Sequence, residues 1–152
     1  MQHVHRFLEL GDIQHPEYCA AVPDANFLGA DAHKKTNTIE IWGDGKQTRS
    51  FMYIDDCVKG TVALTRSNTV EPINIGSSEL VTINGLVDIA ESIAGVKLTR
   101  NYKLDAPKGV NGRNSDNTLI KRELGWEPGI RLREGMERTY AWIEGEWVKK
   151  NG

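Results

Sequence analysis

From Thr38 to Lys149 the apolar residues switch repeatedly between a period of two and a period near 3.6, and that switching restricts the fold more than any other feature. Thr38 to Trp42 alternates and predicts a strand. Gly43-Asp44-Gly45 predicts a tight hairpin turn, and Ser50 to Ile54, rich in aromatic and apolar side chains, predicts the strand that follows. Asp55 or Asp56 stands where a helix cap belongs, ahead of a helix to Ser67 with Val58, Val62 and Thr65 on one side. Pro72 to Ile75 predicts a short strand ended by Gly76. Thr82 is placed to cap the next helix, where Ile83, Leu86, Val87, Ala90, Ile93 and Ala94 form one stripe and Gly95 ends it in the left-handed region. Leu98 to Tyr102 predicts a further strand. A short helix capped by Ser115 or Asp116 runs to Leu124 and stops at Gly125. The last helix runs from Leu132 to Lys149, with Leu132, Met136, Thr139, Tyr140, Ile143 and Trp147 as its buried stripe. Strands and helices that alternate in this way predict an α/β domain.

One part of the usual α/β repertoire is missing. No predicted strand leads through a three-glycine turn into a helix, the arrangement that lets a backbone approach a pyrophosphate. Gly43-x-Gly45 lacks the third glycine, and the Asp44 carboxylate would repel a phosphate. The expected fold is therefore an α/β domain of short strands and helices without a complete Rossmann dinucleotide-binding unit. Residues 1–35, interrupted by Pro16 and Pro23, show little periodicity and are set apart from a domain over residues 36–152.

Two segments carry polar chemistry. Gln47, Thr48 and Arg49 follow the Gly43–Gly45 turn. An arginine side chain is a permanently charged planar fork that suits phosphate oxygens, and Gln and Thr beside it donate or accept hydrogen bonds. The same residues also suit a surface hairpin with an exposed arginine. In the second segment Gly112, Arg113 and Asn114 precede the helix expected after Ser115. Helix N-termini attract anions, and Arg113 there is placed to clamp one; equally, Ser115 and Asp116 serve as caps and Arg113 as a solvated loop residue.

Composition narrows the partners. The 152 residues are 39% hydrophobic and 26% charged with a net charge of −2, which suits one globular domain and gives no basic field for nucleic acid. The two cysteines, Cys19 and Cys57, are far apart and match no metal spacing; Cys57 is expected to pack on the helix after Ile54. His3, His5, His15 and His33 form no ligand set on one helix, so no metal is expected. No apolar run reaches the ~20 residues a membrane span needs and no export signal opens the chain, so the cytoplasm is the expected compartment.

These motifs, in this order, resemble the C-terminal, substrate-binding region of the extended short-chain dehydrogenase/reductases, the NAD-dependent epimerase/dehydratase family that acts on nucleotide sugars. The general part of the resemblance is Gly45-x-Gln47-x-Arg49-x-Phe51, then Ile54-Asp55-Asp56 and Asn74-Ile75-Gly76, and it continues through Lys121, Leu124 to Pro128, Glu134-Gly135 and Trp142. The specific part is the run Trp42 to Phe51 with Gly112 to Asn117, which is similar to the branch that epimerises GDP-mannose at C3 and C5. Many relatives carry Asp where this chain has Ser50. The resemblance implies that Gln47, Thr48, Arg49 and Arg113 contact the nucleotide sugar, with the two arginines neutralising its diphosphate from two sides.

The resemblance also implies NAD for the full-length enzyme, which oxidises the sugar at C4, moves protons at C3 and C5 and reduces C4 again. Neither the glycine-rich turn nor the Tyr-x-x-x-Lys pair is here: Tyr18, Tyr53, Tyr102 and Tyr140 are followed four residues later by Val22, Cys57, Ala106 and Glu144. The chain alone is thus expected to bind no NAD, to hold a GDP-mannose-like nucleotide sugar and to be catalytically inactive, as a partial epimerase. Two alternatives stand beside that expectation. One is a non-enzymatic module that keeps the fold and works as a homodimer or against a separate Rossmann-half chain. The other is a fragment of a UDP- or dTDP-sugar epimerase or dehydratase.

Overall fold

The computed structural model describes residues 38–107 and 110–151. The segment 1–35, with its four histidines, Cys19 and Tyr18, lies outside the described residues, as does the side chain of Trp147. Among the described residues four strands and four helices follow one another: β1 (Thr38–Trp42), β2 (Thr48–Arg49), α1 (Ile54–Arg66), β3 (Val81–Thr82), α2 (Ile83–Ala94), β4 (Thr99–Lys103), α3 (Thr118–Leu124) and α4 (Leu132–Asn151). This is the expected α/β domain of short strands and helices.

The strand pairing differs from the expected hairpin. β1 pairs with β4 in parallel, from Thr38 opposite Thr99 to Trp42 opposite Lys103, while β2 pairs antiparallel with β3. Gly43 and Gly45 do make a turn with positive φ, but it hands the chain from one two-stranded sheet to the other. A hairpin needs β1 and β2 side by side, and β1 has its hydrogen bonds taken by a strand that arrives from beyond α2.

α2 forms where its stripe predicts. Thr82 caps it, its hydroxyl oxygen accepting the Gly85 amide at 2.9 Å, and Gly95 ends it at φ 67. Leu86, Val87 and Ala90 are buried with Ile41, Leu98, Ile120 and Leu132, so the core lies between α2, the β1–β4 pair, α3 and the start of α4.

Four further expectations are corrected. Ser50 to Ile54 is not a strand: β2 ends at Arg49, and α1 begins at Ile54. Met52 is buried there without any ladder partner, which is why apolar content misled the period reading. Neither Asp55 nor Asp56 caps α1. Tyr53 takes the cap position with no side-chain bond, and the buried Asp56 carboxylate instead accepts the Gly129 and Ile130 amides, each at 2.8 Å. Pro72 to Ile75 pairs with nothing among the described residues and is not a strand. In α3, Asn117 occupies the cap position without a capping bond; Asp116, one residue earlier, accepts the Thr118 amide at 2.9 Å. Ser115 makes no cap.

On α1 the buried residues are Asp56 and Gly60. Gly60 is buried because Trp126 lies against it: a Cβ there would stand 2.6 Å from the ring. The Val58 and Val62 side faces solvent, and Cys57 is half-buried.

Candidate functional site

The first candidate segment is fixed from several sides. The turn returns through Lys46, whose amide donates to Asp44 Oδ1 at 3.1 Å. Gln47 donates from Nε2 to the Trp42 carbonyl at 2.7 Å, and its carbonyl accepts the Ile83 amide at 3.1 Å. Gln47 Oε1 is buried without a protein hydrogen-bond partner. Such an atom costs free energy unless something else reaches it.

The two candidate segments meet. The Thr48 amide donates to the Asn111 carbonyl at 2.8 Å, and Arg49 Nη1 donates to the carbonyls of Thr48 at 2.7 Å and Val110 at 2.8 Å. Gly112 approaches so closely that a Cβ on it would lie 2.4 Å from Thr48 Oγ1. Residues separated by 61 positions therefore share one surface, and Arg113 follows directly, with its side chain exposed.

Beyond Arg113 the same loop turns into an open polar cavity of about 480 Å³. Ser78, the run from Asn114 to Thr118, Lys121 and Glu127 line it. Ser115 Oγ and Asn117 Oδ1 are buried there without a partner, and Lys121 and Glu127 pair at 2.6 Å. Hydrogen bonds from the hydroxyl and amide of Thr118 hold the Asp116 carboxyl below the usual carboxylate range. None of Gln47, Thr48, Arg49 and Arg113 lines this cavity. The sequence offers Ser115 and Asp116 as cap candidates and gives no sign of Ser78, which is tied to this loop by the Ser115 amide donating to the Ser77 carbonyl at 3.1 Å and Asn114 Nδ2 donating to the Ser78 carbonyl at 3.4 Å.

Among the described residues no group of three His, Cys, Asp or Glu side chains is arranged to hold a metal ion. No helix there is long and apolar enough to cross a membrane. The turn at Gly43 and Gly45 opens onto a strand and not onto a helix N-terminus, so it is not a glycine-rich turn of the kind that cradles a pyrophosphate.

Short parallel and antiparallel strand pairs set beside α2 match part of the fold of an extended short-chain dehydrogenase/reductase. Residues 25–139 match the family model described as GDP-mannose 4,6 dehydratase, and the chain belongs to that family. It is 49% identical over 119 residues to GDP-mannose 3,5-epimerase of Arabidopsis thaliana, a match covering 78% of this chain and 31% of that one. It is 36% identical over 117 residues to UDP-glucuronic acid decarboxylase 1 of the same plant, covering 77% and 26%. Among solved structures, UDP-glucuronic acid 4-epimerase from Bacillus cereus in complex with NAD superposes with a TM-score of 0.62 at 32% identity, over 76% of this chain and 35% of that one. The chain thus spans about a third or less of the length of these relatives.

Proposed function

We propose that this chain recognises the diphosphate of a GDP-mannose-like nucleotide sugar, as the substrate-binding part of an epimerase related to GDP-mannose 3,5-epimerase. Gln47, Thr48, Arg49 and Arg113 are the contacts. The observation that carries this is the docking of the 110–112 loop on β2, which holds Arg49 against the loop that presents Arg113. Arginine pairs are strong at such a site because each guanidinium can offer two parallel donors to phosphate oxygens. In this reading the chain supplies diphosphate and nucleotide recognition, and redox and proton transfer fall to the Rossmann half of the full-length enzyme.

Titration calorimetry of the chain with GDP-mannose tests this. Saturable binding is expected, and Arg49→Ala should remove about 1.5–3 kcal/mol, a loss of roughly ten- to a hundredfold in affinity. Equal or tighter uptake of UDP-glucuronic acid would move the assignment to a UDP-sugar enzyme. No uptake of either nucleotide sugar would end it.

A second reading has its own observation. Ile54, Val58 and Val62 are spaced at helical intervals on α1 and are 51%, 53% and 40% exposed. A module that keeps the fold and works by associating with another polypeptide would use such a face. A folded chain that binds no nucleotide sugar but sediments as a dimer would favour that reading.

A further inference from the structure

The amides that open α2 are not all served by its own cap. Gly85 bonds the Thr82 hydroxyl, but the Ile83 amide donates to the Gln47 carbonyl at 3.1 Å and the Asn84 amide to the Gly45 carbonyl at 3.0 Å. The loop leading to the Gln47–Arg49 triplet is therefore hooked onto a helix N-terminus, where exposed N–H groups favour carbonyl oxygens. The Asn84 side chain closes the hook. Its Nδ2 donates to the Asp44 carbonyl at 3.1 Å, and its Oδ1 accepts the Tyr102 hydroxyl at 3.0 Å, with Arg100 Nη1 at 3.5 Å. Gly45 rests on the same carboxamide: a Cβ at that position would stand 2.4 Å from Oδ1. Turn, helix and strand β4 thus converge on one planar group that offers a donor on one side and an acceptor on the other.

We propose that Asn84 is a positioning residue for Gln47, Thr48 and Arg49, holding the turn that aims them. The proposal rests on the diphosphate reading above for its ligand, but its geometry stands alone. Gly45 lies two residues before Gln47, and two backbone bonds plus the carboxamide set its place. Recognition by a charged fork depends on support of this kind, because a donor displaced by about 1 Å no longer meets its oxygen. Aspartate is the informative substitution. It keeps an acceptor for Tyr102 and Arg100 while turning a lone pair toward the Asp44 carbonyl, so it removes the side-chain bond that closes the hook and leaves the two backbone bonds in place.

Amide hydrogen exchange, thermal denaturation and calorimetry with GDP-mannose, run on the wild type, Asn84→Asp, Asn84→Ala and Arg49→Ala, decide the matter. Asn84→Asp and Asn84→Ala should speed exchange at Lys46, Ile83 and residue 84 by about tenfold, with Tyr140 in α4 unchanged. They should weaken GDP-mannose by about tenfold at a nearly unchanged thermal midpoint. Unchanged exchange at the hook overturns the proposal. So does faster exchange with undiminished affinity, and so does acceleration spread evenly over the chain. If the wild type takes up no GDP-mannose, or Arg49→Ala binds as well as the wild type, the diphosphate reading fails while the exchange rates still decide whether Asn84 holds the turn.

Discussion

Glu91 shows what one buried charge does in this fold. Its side chain is 4% exposed, accepts the Leu98 amide at 2.9 Å, and meets Lys97 Nζ at 2.5 Å and Arg100 Nη2 at 3.4 Å. Arg100 also bonds Asp88, which draws the guanidinium between two carboxylates. Burial alone would raise the Glu91 pKa; the hydrogen bonds from Lys97 and the Leu98 amide, with the charges of Lys97 and Arg100, more than offset it, and the pKa is lowered. A carboxyl held lower in the folded chain than its free value of about 4.3 adds stability above that pH and gives it up as the pH falls through the folded value. Glu91→Gln is therefore expected to cost about 1–3 kcal/mol near neutral pH. Urea unfolding of both proteins between about pH 7 and pH 3 should show the gap narrowing only below about pH 4, and a gap constant with pH would refute the assignment. The stripe contained a hint of this residue. Glu91 lies four positions after Val87, on the apolar side of the helix, yet nothing local names Lys97, Leu98 and Arg100 as its partners.

Among the elements, those readable from sequence are the ones whose signal is local. α2 has a stripe, a hydroxyl cap and a left-handed glycine within fourteen residues, from Thr82 to Gly95, and it forms there. β1 alternates, and Ile41 is its buried residue. The elements misread are those decided by distant partners. Asp56 looks like a cap until Gly129 and Ile130 claim its carboxylate. Tyr53 looks like strand until Gly135 and Arg138 are seen against its ring, the guanidinium 5.5 Å from the centroid. Since α2 has a side-chain cap and supplies three of the eight buried apolar side chains among the described residues, its cap should matter to the whole domain. Thr82→Ala is expected to cost about 1 kcal/mol and to lower the thermal midpoint by about 4 °C, as followed by circular dichroism. An unmoved midpoint would mean that the Gln47 and Gly45 carbonyls cap α2 sufficiently without the hydroxyl.

For the molecule as a whole, sequence order and spatial order part company. The chain crosses from one small sheet to the other at Gly43–Gly45, and the loop before Arg113 comes back to β2, so the candidate surface is assembled from segments no local pattern links. The triplet and Arg113 stand out in the sequence because arginine beside glycine-rich loops suggests anion chemistry; the open cavity beyond Arg113 gives no such local sign, because Ser78, Asn114 to Thr118, Lys121 and Glu127 meet only in the fold. The same global view bears on the α1 face. α2 buries its apolar stripe, whereas α1 buries Asp56 and Gly60 and turns Ile54, Val58 and Val62 outward. A side chain about half open to water contributes less to folding than a buried one, and a charge whose tip reaches solvent there meets little desolvation cost. Val58→Glu is therefore expected to leave the unfolding free energy within about 0.5 kcal/mol of the wild type, measured by urea denaturation at low and high protein concentration. A larger loss, or one that grows with concentration, would mean that the face is covered in solution and that folding and association are linked through α1.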